Sequence, residues 1–171
     1  MDKPKFWLPF SKLFVPTGRI SRLQYFVYGL IYLAIYFAAF FVLASNKFFQ
    51  VNPDGGLADT SPAAVACYGA VELGFLWLVF VNDVKRLHDL NWPGIVAILV
   101  LIDAPVDLGL EIARIFTTLP PVAGTVQAVV DGIGKVSAIG VGLFLTFGPG
   151  NKGKNKYGPD PLRPPPPIDV F

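Results

Sequence analysis

The sequence has one cysteine, Cys67, and one histidine, His88. A single cysteine excludes an intramolecular disulfide and a cysteine-rich metal site. Cys67 lies inside an apolar run and reads as a small buried hydrophobe, not a nucleophile. A single histidine excludes an HExxH pair, and neither a Gly-rich phosphate loop nor a Ser-His-Asp order is present. No metal or cofactor is expected. Charge is also scarce: Asp, Glu, Lys and Arg make up 15% of 171 residues, where a soluble domain carries about 25%. The formal net charge of +2 is too small to point to nucleic acid.

What takes the place of charge is long apolar sequence. Gln24 to Ala44 runs 21 residues without a charged side chain, and a membrane-spanning helix needs about 20. A signal peptide's apolar core covers only about 7–15 residues and lies nearer the first residue than this one, which 23 residues precede. Ser45 to Ser61 is polar, and the Asn52–Gly56 cluster marks it as a loop. The second run, Pro62 to Asn82, is again 21 residues, with Glu72 as its one charge. Pro62 suits a first helical turn. A polar hinge, Asp83 to Asn91, follows, with Asn91 placed to cap the next helix and Trp92 where an interfacial aromatic anchor belongs.

The third run opens with Gly94 to Ile102, too short to span alone. Asp103, Asp107, Glu111, Arg114 and Thr118 then recur at spacings of 4, 4, 3 and 4, one polar stripe on a helix. Two readings stand: a third helix over 94–116 kinked at Pro105, which is preferred, or a separate amphipathic helix along the outer interface. Pro120 and Pro121 end it. The fourth run covers 126–147. Asp131 and Lys135 near its start stand at i, i+4, and Gly134, Ala138 and Gly142 form a small-residue row that admits a close neighbour. From Gly148 the chain is rich in Gly, Lys and Pro and reads as a solvated, extended tail.

The expected fold is therefore an all-α membrane protein, a four-transmembrane-helix bundle. Residues 1–23 form an N-terminal segment, residues 24–147 hold helices at about 24–44, 62–82, 94–116 and 126–147, and residues 148–171 form the tail. Lys and Arg fix the orientation. Five fall in the N-terminal segment, two in the hinge and four in the tail, eleven of the fourteen. Four crossings place all eleven, and both termini, in the cytoplasm.

Three phrases occur together. Gly18-Arg19-Ile20-Ser21-Arg22 leads into Gln24-Tyr25, Lys85-Arg86-Leu87-His88-Asp89 follows the second run, and Gly153 to Pro161 (GKNKYGPDP) follows the last. In this order and spacing the chain resembles the domain-of-unknown-function 805 (DUF805) family, small proteins of the bacterial inner (plasma) membrane. The resemblance covers about Val15 to Pro161. It implies a location and a fold, and no reaction.

Two groups are candidate sites. In a bundle the three phrases meet at one end, where Arg19, Arg22, Lys85, Arg86, His88, Asp89 and Lys156 form a rim. Such a rim either ties the loops together or binds an anionic headgroup or a partner. The second group is intramembrane. Glu72 is the centre of its run, and a bare carboxylate there costs about 3 kcal/mol on insertion scales. It is expected to be protonated, hydrogen-bonded or facing a wet cavity. Tyr68 lies one turn before it, and Tyr25, Tyr28, Tyr32 and Tyr36, spaced 3, 4 and 4, share one face of the first helix. That face is expected to turn inward and satisfy Glu72. The sequence reading is a non-enzymatic bundle that binds lipids or partner proteins, with a homo-oligomer among the options. The alternative is a small oligomeric transporter or channel component using Glu72.

Overall fold

The structure, a computed structural model, describes residues 7–50, 58, 61–101, 103–117 and 121–162. Pro9 opens a single helical turn, α1 (Phe10–Leu13). Gly18, at φ +84°, then reverses the chain into α2 (Arg22–Ser45). The start of α2 is set by a capping box: Ser21 Oγ accepts from Gln24 N at 3.3 Å, and Gln24 Oε1 accepts from Ser21 N at 2.9 Å.

Helix α3 (Pro62–Asp89) begins as expected, with Ser61 as N-cap and Pro62 in the first turn. It does not stop at Asn82. The polar stretch expected as a hinge is its last two turns, and residues 81–87 are all buried. Asn91 ends α3 instead of capping the next helix. It takes the left-handed conformation at φ 64°, while Trp92 N donates to Leu87 O at 2.8 Å and Asn91 N to His88 O at 3.1 Å. That pair of bonds is a Schellman ending, which asparagine tolerates.

The third run is not one kinked helix. Gly94–Val100 forms a 3-10 helix that ends at Leu101, and α4 (Asp103–Phe116) starts afresh. Pro105 therefore sits in a first turn, where it breaks nothing. The side chains of Asp103, Asp107, Glu111 and Arg114, and all of Thr118, lie outside the described residues. Gly94 packs on Val84 and His88 at one end of α3, and Leu108 rests on Gly69 at the other, where a Cβ would stand 3.0 Å from Leu108 Cδ1. The broken segment thus runs the length of α3, antiparallel to it. Helix α5 (Pro121–Phe147) takes Pro121 as its own first residue, so Asp131 and Lys135 fall at its middle and not near its start.

The architecture is all-helical. Among the described residues, three helices are long and apolar enough to cross a membrane: Arg22–Ser45, Pro62–Asp89 and Gly124–Phe147. These are the helices of a membrane-embedded protein. The start of α2 and the ends of α3 and α5 gather at one end of the bundle, called the hinge end below. There Val84, Leu87, Ala97 and Leu145 form a core cluster. At the opposite end Phe49, from the loop after α2, closes over Ala64 and Val65, with half-buried Cys67 packed against them.

Candidate functional site

The hinge end is built around Asp89, whose side chain is 4% exposed. Its two carboxylate oxygens are divided between two arginines. Oδ1 accepts from Arg19 Nε at 3.1 Å and Nη2 at 2.9 Å, and Oδ2 accepts from Arg86 Nη1. Arg19 has five N–H groups and makes five bonds; besides Asp89 they reach the carbonyls of Asn151 (2.5 Å), Gly153 (2.7 Å) and Gly158 (3.2 Å). Arg86 Nε donates to Leu145 O at 2.7 Å and Nη2 to Gly148 O. Those two carbonyls lie at the C-terminus of α5, where backbone acceptors lack intrahelical partners.

The tail is therefore folded against the hinge end and not extended as far as Leu162, though Lys152, Lys154 and Lys156 stay exposed; Pro164 to Pro167 lie outside the described residues. Asn151 N donates to Asp89 O at 2.8 Å, and Asn155 Nδ2 to His88 O at 2.9 Å. Gly150 is required for this approach: a Cβ there would stand 2.9 Å from Asp89 Cγ. Asp160 closes the tail on itself, accepting from Gly153 N and Leu162 N, each at 2.9 Å.

His88 stacks face to face on Tyr157, with centroids 3.7 Å apart and planes at 10°, and its Nδ1 lies 3.2 Å from Gly18 O. Asp83 is bound to Tyr25 and Asp89 to the arginines, so neither turns to His88. Buried Lys85 donates its Nζ to Lys12 O. Lys156 is exposed, with Nζ 4.8 Å from the centroid of the Tyr157 ring.

Of the expected rim, then, Arg19, Lys85, Arg86 and Asp89 are internal, and Arg22 and Lys156 are exposed. Two polar clefts flank Asp160. One, of about 170 Å³, is lined by Arg22, Lys152 and Asp160 with Arg86 and Asp89 at its floor. The other, of about 230 Å³, is lined by Lys12, Lys85, Arg19 and Asp160.

The intramembrane group also assembles. Tyr28 and Tyr32 are buried and stacked, with centroids 6.2 Å apart. Tyr36 OH donates to Glu72 Oε1 at 2.5 Å. Tyr25, which the sequence reading put on the stripe without a role, donates to Asp83 Oδ1 at 2.9 Å. Asp83 was missed as its counterpart. The signal was present: Tyr25 and Tyr36 are 11 apart, as are Glu72 and Asp83, three helical turns on two antiparallel helices. Tyr68 stands edge-on to Phe49, with ring centroids 5.7 Å apart. Tyr28 OH serves another partner, accepting from Leu8 N at 2.7 Å.

The three sequence phrases thus meet in space: the first supplies Arg19 and the α2 cap, the second Arg86 and Asp89, and the third two of the carbonyls that Arg19 holds, Gly153 and Gly158. A family model described as a protein of unknown function (DUF805) matches residues 13–159. No curated protein and no solved structure matches the chain.

Proposed function

The chain belongs to the DUF805 family, and we propose that it is a non-enzymatic protein of the bacterial inner membrane that binds anionic lipid headgroups at its hinge end. In this reading the broken Gly94–Phe116 segment serves as a fourth crossing, and both termini are cytoplasmic. Contact between Arg19 and the carbonyls of Gly153 and Gly158 supports an even number of crossings, because it brings the segment before α2 to the tail after α5.

The observation that carries the proposal is the pair of basic clefts beside Asp160. They lie at the ends of the apolar helices, which in this reading is the level of the headgroup phosphates. Arg19 spends all five donors on the protein itself, and Arg86 is fully buried with three bonds to the protein, so in this reading they shape the clefts. The cations left to meet a phosphate are exposed: Arg22 and Lys152 at one cleft and Lys12 at the other. Each basic side chain near an anionic surface contributes about 1 kcal/mol.

The competing reading, a small oligomeric transporter or channel component using Glu72, draws on an apolar groove of about 390 Å³ between α2 and α3 that reaches Tyr36. The Tyr36–Glu72 bond favours interhelical glue over a path, since the acid already has its donor.

The test compares lipid retained after purification from bilayers of phosphatidylglycerol and phosphatidylcholine. Arg22→Ala with Lys152→Ala is expected to reduce phosphatidylglycerol retention about thirtyfold, given two lost charges of about 1 kcal/mol each. Lys47→Ala, at the other end, should change nothing. Equal retention in all three proteins would refute the headgroup reading.

A further inference from the structure

Lys135 is the twelfth residue of the 24-residue Gly124–Phe147 span, and its side chain is 73% exposed. A cation at that depth on a surface turned to lipid is strongly unfavourable. Its one ionic partner among the described residues, Asp131, is 4.0 Å away at the outer limit of a salt bridge. Asp131 Oδ1 is buried without a hydrogen-bond partner among the described residues. One charge is therefore over-exposed and the other under-satisfied, one helical turn apart. Among the described residues, nothing else completes either.

The surface beside them is open. Gly124, Gly132 and Gly140 have no atom within 4 Å of where a Cβ would stand. They alternate along the helix with Ala128 and Val136, both exposed. The row expected to receive a neighbour, Gly134, Ala138 and Gly142, is the inner one, buried or half-buried within the chain. Helix α5 thus has a small-residue row on each side, and every residue of the outer one is exposed.

We propose that two copies of this chain pair through the outer face of α5, with Lys135 of each copy bound to Asp131 of the other. Charge complementarity selects a second copy as the occupant. Copies in one membrane share one orientation, so their α5 helices run parallel about a two-fold axis along the membrane normal. Helical side chains lean toward the N-terminus, so Lys135 descends to the level of Asp131 on the facing helix. The two-fold repeats the contact, and both cations and both carboxylates leave the lipid together. The open glycines let the backbones approach closely enough.

The test uses the full chain with Cys67→Ser, reconstituted at low protein-to-lipid ratio. The wild-type face should give a dimer, and Lys135→Leu should weaken it at least about tenfold. Lys135→Asp alone leaves only acids on the face, and Asp131→Lys alone only cations, so neither should self-associate. Mixed with different tags, the two should pair, which an intrachain salt bridge cannot produce. For variants that insert poorly, oxidation of Ile139→Cys should cross-link two copies, while Phe41→Cys on α2 should not. A monomeric wild type, a mixture that pairs no better than each variant alone, or equal cross-linking at both cysteines would overturn the proposal.

Discussion

Tyr36 donates a 2.5 Å hydrogen bond to Glu72 across the α2–α3 interface. The bond explains how an acid stands in the middle of an apolar helix without a cation beside it. The same interface repeats the arrangement three turns lower with Tyr25 and Asp83. Both acids of α3 that face α2 are thus met by tyrosines on one stripe, so the polar atoms act as register marks for two otherwise apolar surfaces.

A double-mutant cycle on Tyr36→Phe and Glu72→Gln measures the first of these bonds. We predict a coupling of about 0.6–1.7 kcal/mol, the range found between membrane helices. Each single variant should remain inserted and folded, because Gln still accepts a hydrogen bond and Phe keeps the ring on Phe75, 4.5 Å away. Detergent-phase thermal unfolding is the measurement. A coupling indistinguishable from zero would show that the contact does not hold α2 to α3.

Gly150 supplies a second prediction, because its missing Cβ makes room for the Asp89 carboxylate. Gly150→Ala should lift the tail off the hinge end at a cost of about 1–3 kcal/mol, as overpacking does elsewhere. Amide exchange and proteolysis should accelerate over residues 150–162 while the helices keep their protection. Gly74→Ala is the control. It is mid-helix with nothing within 4 Å of the new methyl, so it should stabilise α3 by up to about 1 kcal/mol through helix propensity. Equal protection of the tail in Gly150→Ala and wild type would rule out the close approach.

Three helices and the tyrosine stripe were legible because each is written in side-chain type. Runs of 21 apolar residues and a 3, 4, 4 spacing need no partner to be seen. The last two turns of α3 were not legible. Asp83, Lys85, Arg86 and Asp89 look like a solvated hinge, and only partners about 58 to 73 residues away turn them into buried helix. The tail was misread for a related reason. Its anchors are main-chain carbonyls at Gly148, Asn151, Gly153 and Gly158, and carbonyls leave no mark in a sequence. The third run failed as a continuous helix because its apolar half is a 3-10 turn series closed at Leu101, while the charged half has its own start at Asp103.

The last prediction concerns Asp89, where the hinge end can be taken apart charge by charge. Asp89→Ala leaves two guanidinium groups, at 1% and 0% exposure, without a counter-charge. Removing one member of a buried ion pair costs about 3–5 kcal/mol, and we expect a loss in that range. Asp89→Asn should be nearly as damaging. One amide oxygen can serve Arg19 or Arg86 but not both, and its NH2 would face a donor. Arg19→Lys should also lose stability, since three N–H donors on one atom cannot span Asp89 and three separated carbonyls. Buried charge clusters in other proteins are often replaceable by apolar residues without loss. Here the triple variant Arg19→Met, Arg86→Met, Asp89→Leu should remain less stable than wild type. The two arginines also satisfy the carbonyls of Leu145, Gly148, Asn151, Gly153 and Gly158, and methionine offers them nothing. Each orphaned buried acceptor costs about 1–3 kcal/mol unless water reaches it. Unfolding in detergent, followed by helical circular dichroism and by cleavage within the tail, distinguishes the cases. A triple variant as stable as wild type would mean that the arginines serve only Asp89, and that the tail is held by something other than their donors.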